Sequence, residues 1–191
     1  MNRFDEALIH IEKAQELLPS SYEVYTQLAY IYSRSNRVEE SLPYFRKAIE
    51  LSPYYIQAQI DYASSLSHLG RFDEAEAVCL QLTQIQPADP AIRFGYGYVL
   101  LQAKKYSVAE TELTQAFTIS PDAFHLRQLA DKLLIEANLQ STVREFDELY
   151  LKSNDHSDKV FATLVNYYVG QKDFTSAKFY QMRREEMATD Q

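Results

Sequence analysis

The chain has one cysteine, few glycines, no basic cluster and no long apolar run, and each scarcity excludes something. A single Cys79 in 191 residues rules out an internal disulfide framework and leaves the redox compartment open. No stretch of about 18 apolar residues occurs, so no helix here is expected to insert into a membrane. The start, MNRFDEALIHIEK, carries acids among its apolar residues instead of a signal-peptide core, so a cytoplasmic location is expected if the chain is complete. Arg183-Arg184 is followed at once by Glu185-Glu186, and the net charge is −8, which argues against a nucleic-acid partner. Only 4 glycines and 6 prolines punctuate the chain, and strand-like alternation is absent. What remains is 46% hydrophobic and 24% charged, enough for a packed core with a solvated surface.

The prolines and one pentapeptide expose the organisation. RFDEA stands at Arg3–Ala7 and again 68 residues later at Arg71–Ala75, while Pro19, Pro53, Pro87 and Pro121 are spaced by 34. Since 68 is twice 34, the chain is an internal repeat. Within one period, Ser20-Ser21 offers N-cap hydroxyls and Tyr25, Leu28, Ala29 and Tyr32 share one helical face. Ser35-Asn36-Arg37 makes a short polar turn; a second amphipathic stripe follows through Leu42, Phe45, Ala48 and Ile49, and Ser52-Pro53 stops it. Pro43 falls inside that second helix, where a small bend is expected instead of a break.

Small and large residues alternate in rows. Ala7, Ser41, Ala75, Ala109 and Ala177 share one repeat position, and Ala29, Ala63 and Gly97 another. Small side chains there let two antiparallel helices approach closely. Leu28, Tyr62, Tyr96 and Leu164, and Tyr32, Leu66, Leu100, Leu134 and Tyr168, form the complementary large rows.

This pattern resembles the tetratricopeptide repeat, a 34-residue helix-turn-helix. Tyr25 and Phe161 stand where that family favours Trp; Leu28-Ala29 and Tyr96-Gly97 match its Leu-Gly step, and Asn36 and Gly70 its turn. Phe45, Cys79 and Leu113 take its second-helix aromatic position, with Ala14, Ala48 and Ala116 at its later alanine. The resemblance implies an all-α fold, a right-handed α-solenoid of antiparallel helix pairs in one array. Its units read 1–21 (an orphan second helix), 22–55, 56–89, 90–123, 124–157 and 158–191. Unit 124–157 departs from the pattern: Asp131 replaces a small residue, Val143 the alanine and Asp147 the aromatic. There Phe146 and Leu149 are expected to pack instead, with an irregular junction near 151–158.

No residue set points to catalysis. His10, His68, His125 and His156 fall in separate units without a metal-binding spacing, so neither metal nor cofactor is expected. Cys79 reads as a buried thiol. Gly95-Tyr96-Gly97 lies inside a helix and lacks the strand a phosphate loop needs. Gly95 itself implies either close backbone approach or tolerated drift. The acidic pairs Asp5-Glu6, Glu39-Glu40 and Asp73-Glu74 recur at helix starts, where the helix dipole favours them.

The resemblance implies a concave wall lined by the first helices, with a protein or peptide as partner. Its groove positions here include Thr26, Tyr30, Ser33 and Arg34; Ile60, Ser64, Ser67 and His68; Phe94, Tyr98, Leu101 and Gln102; Gln128 and Lys132; and Asn166. Ile60, Phe94, Tyr98 and Leu101 make its middle apolar, suited to anchoring side chains. The Lys-then-Asn clamp with which some members grip chaperone tails is absent, since its positions hold Thr26/Tyr30, Ile60/Ser64, Phe94/Tyr98 and Gln128/Lys132. The expected function is a non-enzymatic interaction scaffold. The alternatives are a docking domain of a longer enzyme or assembly factor, and a self-assembling array. At the start, Phe4, Leu8 and Ile11 lack a preceding first helix, so they form a candidate self-association face for a homodimer unless the chain is cut from a longer array.

Overall fold

The structure, a computed structural model, describes residues 3–120, 134, 139–153 and 158–189. Its internal contacts divide the chain, read from sequence as one array, into two compact units, Met1–Ile119 and Ser120–Gln191. Among the described residues the first unit holds α1 (Arg3–Leu17), α2 (Tyr22–Arg34), α3 (Val38–Leu51), α4 (Ile56–His68), α5 (Phe72–Ile85), α6 (Pro90–Gln102) and α7 (Tyr106–Ile119). The second holds α8 (Gln140–Ser153), α9 (Asp158–Gly170) and α10 (Phe174–Thr189), and no strand is present in either.

The hairpins α2–α3, α4–α5, α6–α7 and α9–α10 close by the same turn. At each, a residue of left-handed conformation follows the first helix: Asn36 (φ 63°), Gly70 (φ 74°), Lys104 (φ 60°) and Lys172 (φ 61°), all in one repeat register. The next N–H reaches back five residues to a helix carbonyl, as in a Schellman cap. These bonds run from Arg37 to Tyr32, Arg71 to Leu66, Lys105 to Leu100, Leu139 to Leu134 and Asp173 to Tyr168, at 2.8–3.0 Å. The Leu139 bond gives the divergent unit 124–157 the same five-residue reach.

The small rows sit where the hairpins close. Ser41, Ala75 and Ala109 are fully buried, as are Ala29 and Ala63. A Cβ added at Gly97 would stand 2.6 Å from Leu113 Cγ, so only glycine fits between α6 and α7. Successive hairpins are latched by a second recurring contact. Tyr25, Gln59 and Arg93 occupy one repeat position and donate to the carbonyls of Pro19, Pro53 and Pro87 at 3.2, 2.8 and 2.7 Å. The proline stop thus also anchors the helix that follows it. N-caps are built in the expected place at α2, where Ser21 Oγ accepts from the Val24 N–H, and at α6, where Asp89 accepts from Ala91 and Ile92. Helix α3 runs uninterrupted through Pro43.

In the second unit Phe146 is buried, as expected, and Leu149 is half-buried. Asp147 is not displaced to make room: it is fully buried and accepts from Tyr168 Oη at 2.5 Å and Tyr180 Oη at 2.6 Å. A carboxylate at the aromatic position is held by charge-assisted hydrogen bonds from two tyrosines of the next hairpin. Of the expected junction at 151–158, residues 151–153 end α8 and Asp158 opens α9, while 154–157 lie outside the described residues.

Two outcomes test these assignments. Replacing Lys104 by Gly relieves a left-handed residue that carries a Cβ and raises the urea midpoint by the equivalent of about 1 kcal/mol; an unchanged or lowered midpoint would show no strain there. Asp147→Ala removes the acceptor shared by two buried hydroxyls and destabilises by about 2–4 kcal/mol, and a loss under 0.5 kcal/mol would refute its anchoring role.

Candidate partner-binding wall

The first helices α2, α4 and α6 lie side by side in the first unit and are joined by side chains at the expected groove positions. Tyr30 Oη on α2 donates to Asp61 Oδ2 on α4, while Gln57 Nε2 donates to Asp61 Oδ1 at 3.1 Å. Tyr30 also lies edge-on to Phe45, with ring centroids 6.0 Å apart. Burial is the leading influence on Asp61 and lifts its carboxyl above the ordinary value of 3.8, against the two hydrogen bonds.

Between α4 and α6 the contact is closer. A Cβ at Gly95 would lie 2.8 Å from Ile60 Cγ2, so the glycine marks close helix approach and not drift. Ile60 therefore packs on the neighbouring first helix while remaining half-buried. Along the same seam His68 Nε2 lies 3.1 Å from Tyr98 Oη, and Gln102 Nε2 donates to that hydroxyl at 3.4 Å. Burial raises the Tyr98 phenol above its ordinary range.

The remaining groove positions separate into surface and core. Tyr30, Ile60, Ser64 and Tyr98 keep part of their surface, and Arg34 and His68 are exposed. Phe94 and Leu101, expected as apolar anchors, are only 5% and 4% exposed. The Phe94 ring meets Phe117 of α7 edge-on at 6.2 Å, so it belongs to the hairpin core. Thr26 is likewise buried and donates to the Tyr22 carbonyl at 2.8 Å. Asn166 is exposed on α9, in the second unit. Gln128 and Lys132 lie outside the described residues.

Asp61 and Gln57 were missed by the sequence reading. The available signal was Asp61 itself, the lone acid in the helix IQAQIDYASSLSH. On the expected self-association face, Leu8 is turned into the core with Val24, Leu28 and Tyr32, while Phe4 and Ile11 are half-buried. Leu8 is thus spent on α2 and offers little to a second copy. Cys79 is buried, which pushes its thiol up to about 12, far from a nucleophile's range. No group of three His, Cys, Asp or Glu among the described residues is placed to hold a metal, and none of their helices is long and apolar enough to cross a membrane.

Helix hairpins in a 34-residue register, closed by one turn type and aligned through their first helices, define an α-solenoid repeat protein. Over its N-terminal part the chain carries tetratricopeptide repeats: residues 1–56 and 36–94 match models described as Tetratricopeptide repeat. Beyond residue 94 the fold is carried by likeness to solved structures. PilF of Pseudomonas aeruginosa is 18% identical with a TM-score of 0.61, over 96% of this chain and 84% of that one. PilW, described as a widely conserved type IV pilus biogenesis factor, is 16% identical at 0.63, over 94% and 84%. MamA of Desulfovibrio magneticus RS-1 is 15% identical at 0.60, over 82% and 89%. No protein of curated function matches the sequence.

The raised Asp61 carboxyl generates a signed expectation. A carboxyl whose folded value exceeds its unfolded value binds protons more tightly in the native state. Its stabilising share is present below the ordinary carboxyl value and is lost as pH rises through the raised one. Asp61→Asn should therefore flatten the fall in Tm between acid and neutral pH, with Tyr30 still able to donate to the amide oxygen. An identical pH profile in the variant would refute this origin.

Proposed function

We propose that the chain is a non-enzymatic scaffold that holds a protein or peptide segment against the first-helix wall of its N-terminal unit. The carrying observation is that Tyr30, Ile60, Ser64 and Tyr98 leave partial surface on three adjacent helices whose side chains already hold one another. Such pre-organisation lowers the ordering cost of binding, since Tyr30 and Tyr98 are fixed before a partner arrives. Alternating phenol, aliphatic and hydroxyl groups suit an extended segment that presents both apolar side chains and backbone polar groups. Of the four expected apolar anchors this reading keeps Ile60 and Tyr98 and leaves out Phe94 and Leu101.

The test combines Tyr98→Ala with Ser64→Arg, which removes an anchor and drives a charge into the wall. Affinity for partners retrieved with the wild-type chain should fall by about 30-fold, equivalent to about 2 kcal/mol, with the helical circular-dichroism signal intact. Unaltered affinity in a folded double variant would sink the assignment of this wall.

A further inference from the structure

A recess lies away from the groove positions, over the start of α4 and between the second helices α3 and α5. It encloses about 480 Å³, lined chiefly by Ile49, Tyr54, Tyr62, Val78 and Ile85, and Arg46 is the one charged residue in its lining. Two repeat positions explain why it is open. The counterparts of Gln59 are Tyr25 and Arg93, and those of Val78 are Tyr44 and Glu112. One interface earlier, Tyr44 stacks on Tyr32 at 5.0 Å and joins the core of α1 and α2. One interface later, Arg93 Nη1 donates to Glu112 at 2.9 Å, in an ion pair whose side chains are only 18% and 16% exposed. Here Gln59 donates to the Pro53 carbonyl as its counterparts do to theirs, and Val78 carries neither a ring nor a charged group to fill the space.

The electrostatics of this recess are one-sided. Arg46 is exposed and makes no ion pair among the described residues. Its charge bears on Glu74, but that carboxylate is already gripped by Arg71 through two bonds of 2.7 Å. Adjacent Lys47 is paired with Glu50. An uncommitted cation thus stands beside an apolar recess, in a chain whose net charge is −8. Tyr54 is 91% exposed and Ile85 58% exposed, so the flanks present apolar surface to water. The volume falls within the range of about 300–1,000 Å³ that ligand clefts occupy.

We propose that this recess docks a peptide segment of another protein in which a bulky apolar side chain is followed closely by a carboxylate. The apolar group enters between Ile49, Tyr62 and Val78, Tyr54 and Ile85 cover it, and the carboxylate pairs with Arg46. Basic segments are rejected by the same cation. This site is independent of the first-helix wall, and its test leaves that wall unaltered.

Fluorescence anisotropy of the whole chain with two labelled peptides decides it: Gly-Ser-Leu-Phe-Glu-Glu-Ser-Gly and its Lys-Lys counterpart. The acidic peptide should bind saturably and at least tenfold more tightly than the basic one, and Arg46→Glu should abolish that preference. The double variant Gln59→Arg, Val78→Glu rebuilds the ion pair of the next interface inside the recess and should remove saturable binding with the helical signal kept. Should that variant lose its fold, Val78→Tyr, borrowed from the preceding interface, closes the recess by bulk alone and should give the same loss. Absence of saturable binding to wild type, equal binding of the two peptides, or binding that survives closure overturns the proposal. Sedimentation supplies one further outcome: self-association abolished by the closing variant assigns the recess to a second copy and overturns the peptide reading.

Discussion

Everything in this fold depends on two helices of each repeat closing upon one another through a turn of fixed geometry. A turn with a left-handed residue and a bond from the following N–H to a carbonyl five residues back leaves little freedom in where the second helix starts. The acceptors Tyr32, Leu66, Leu100, Leu134 and Tyr168 are the same residues whose side chains form a buried row. Turn and core therefore share their residues, and neither can slip without the other. Phase set at the turn brings Ser41, Ala75 and Ala109 against the first helix, where they are fully buried. The alignment of α2, α4 and α6 that makes a wall follows from repeating that step, with each proline carbonyl latched to the next first helix.

The period, the hairpins and the small and large rows were legible because each is a constraint on residue type that recurs at 34 residues. The turn was only half legible. Asn36 and Gly70 advertise a left-handed conformation, whereas Lys104 and Lys172 adopt it against their preference because the caps around them hold it. Gly95 could not be decided from sequence, since its reason is Ile60 on another helix. The wall was less legible than the fold for the same kind of reason. A position on the first helix is a groove position only if nothing behind it competes for the side chain, and Phe117 competes for Phe94. Helical spacing ranks faces; it does not say which of two neighbours takes an aromatic ring.

Two acids were harder still. Asp61 and Asp147 occupy places where a repeat pattern expects apolar or neutral groups, and both receive tyrosine hydroxyls from another helix. Asp147 stands where a phenylalanine ring stands at Phe45, and recovers by hydrogen bonding what it loses in apolar contact. The partners Tyr168 and Tyr180 lie 21 and 33 residues away, so no local pattern around Asp147 announces them. A single-residue departure read in isolation looks like decay of the repeat. Together with its two hydroxyl partners it is a different solution to the same packing site.

The outer side of the repeats varies by another rule. At the helix contact of the first unit the side chain stays small, as Ser41, Ala75 and Ala109 show. In three successive hairpins one second-helix position holds Tyr44, Val78 or Glu112 and one first-helix position holds Tyr25, Gln59 or Arg93. Tyr44 stacks on Tyr32 and Glu112 pairs with Arg93, so unlike chemistries engage the same position with the first helix of its own hairpin. Val78 with Gln59 supplies neither ring nor charge, and the three side-chain carbons of the valine leave the recess open. The scaffold tolerates that gap because the turn and the small-residue contact already hold α4 against α5. Space on this face is therefore released without loss of register, at a position whose side chain the fold itself does not need.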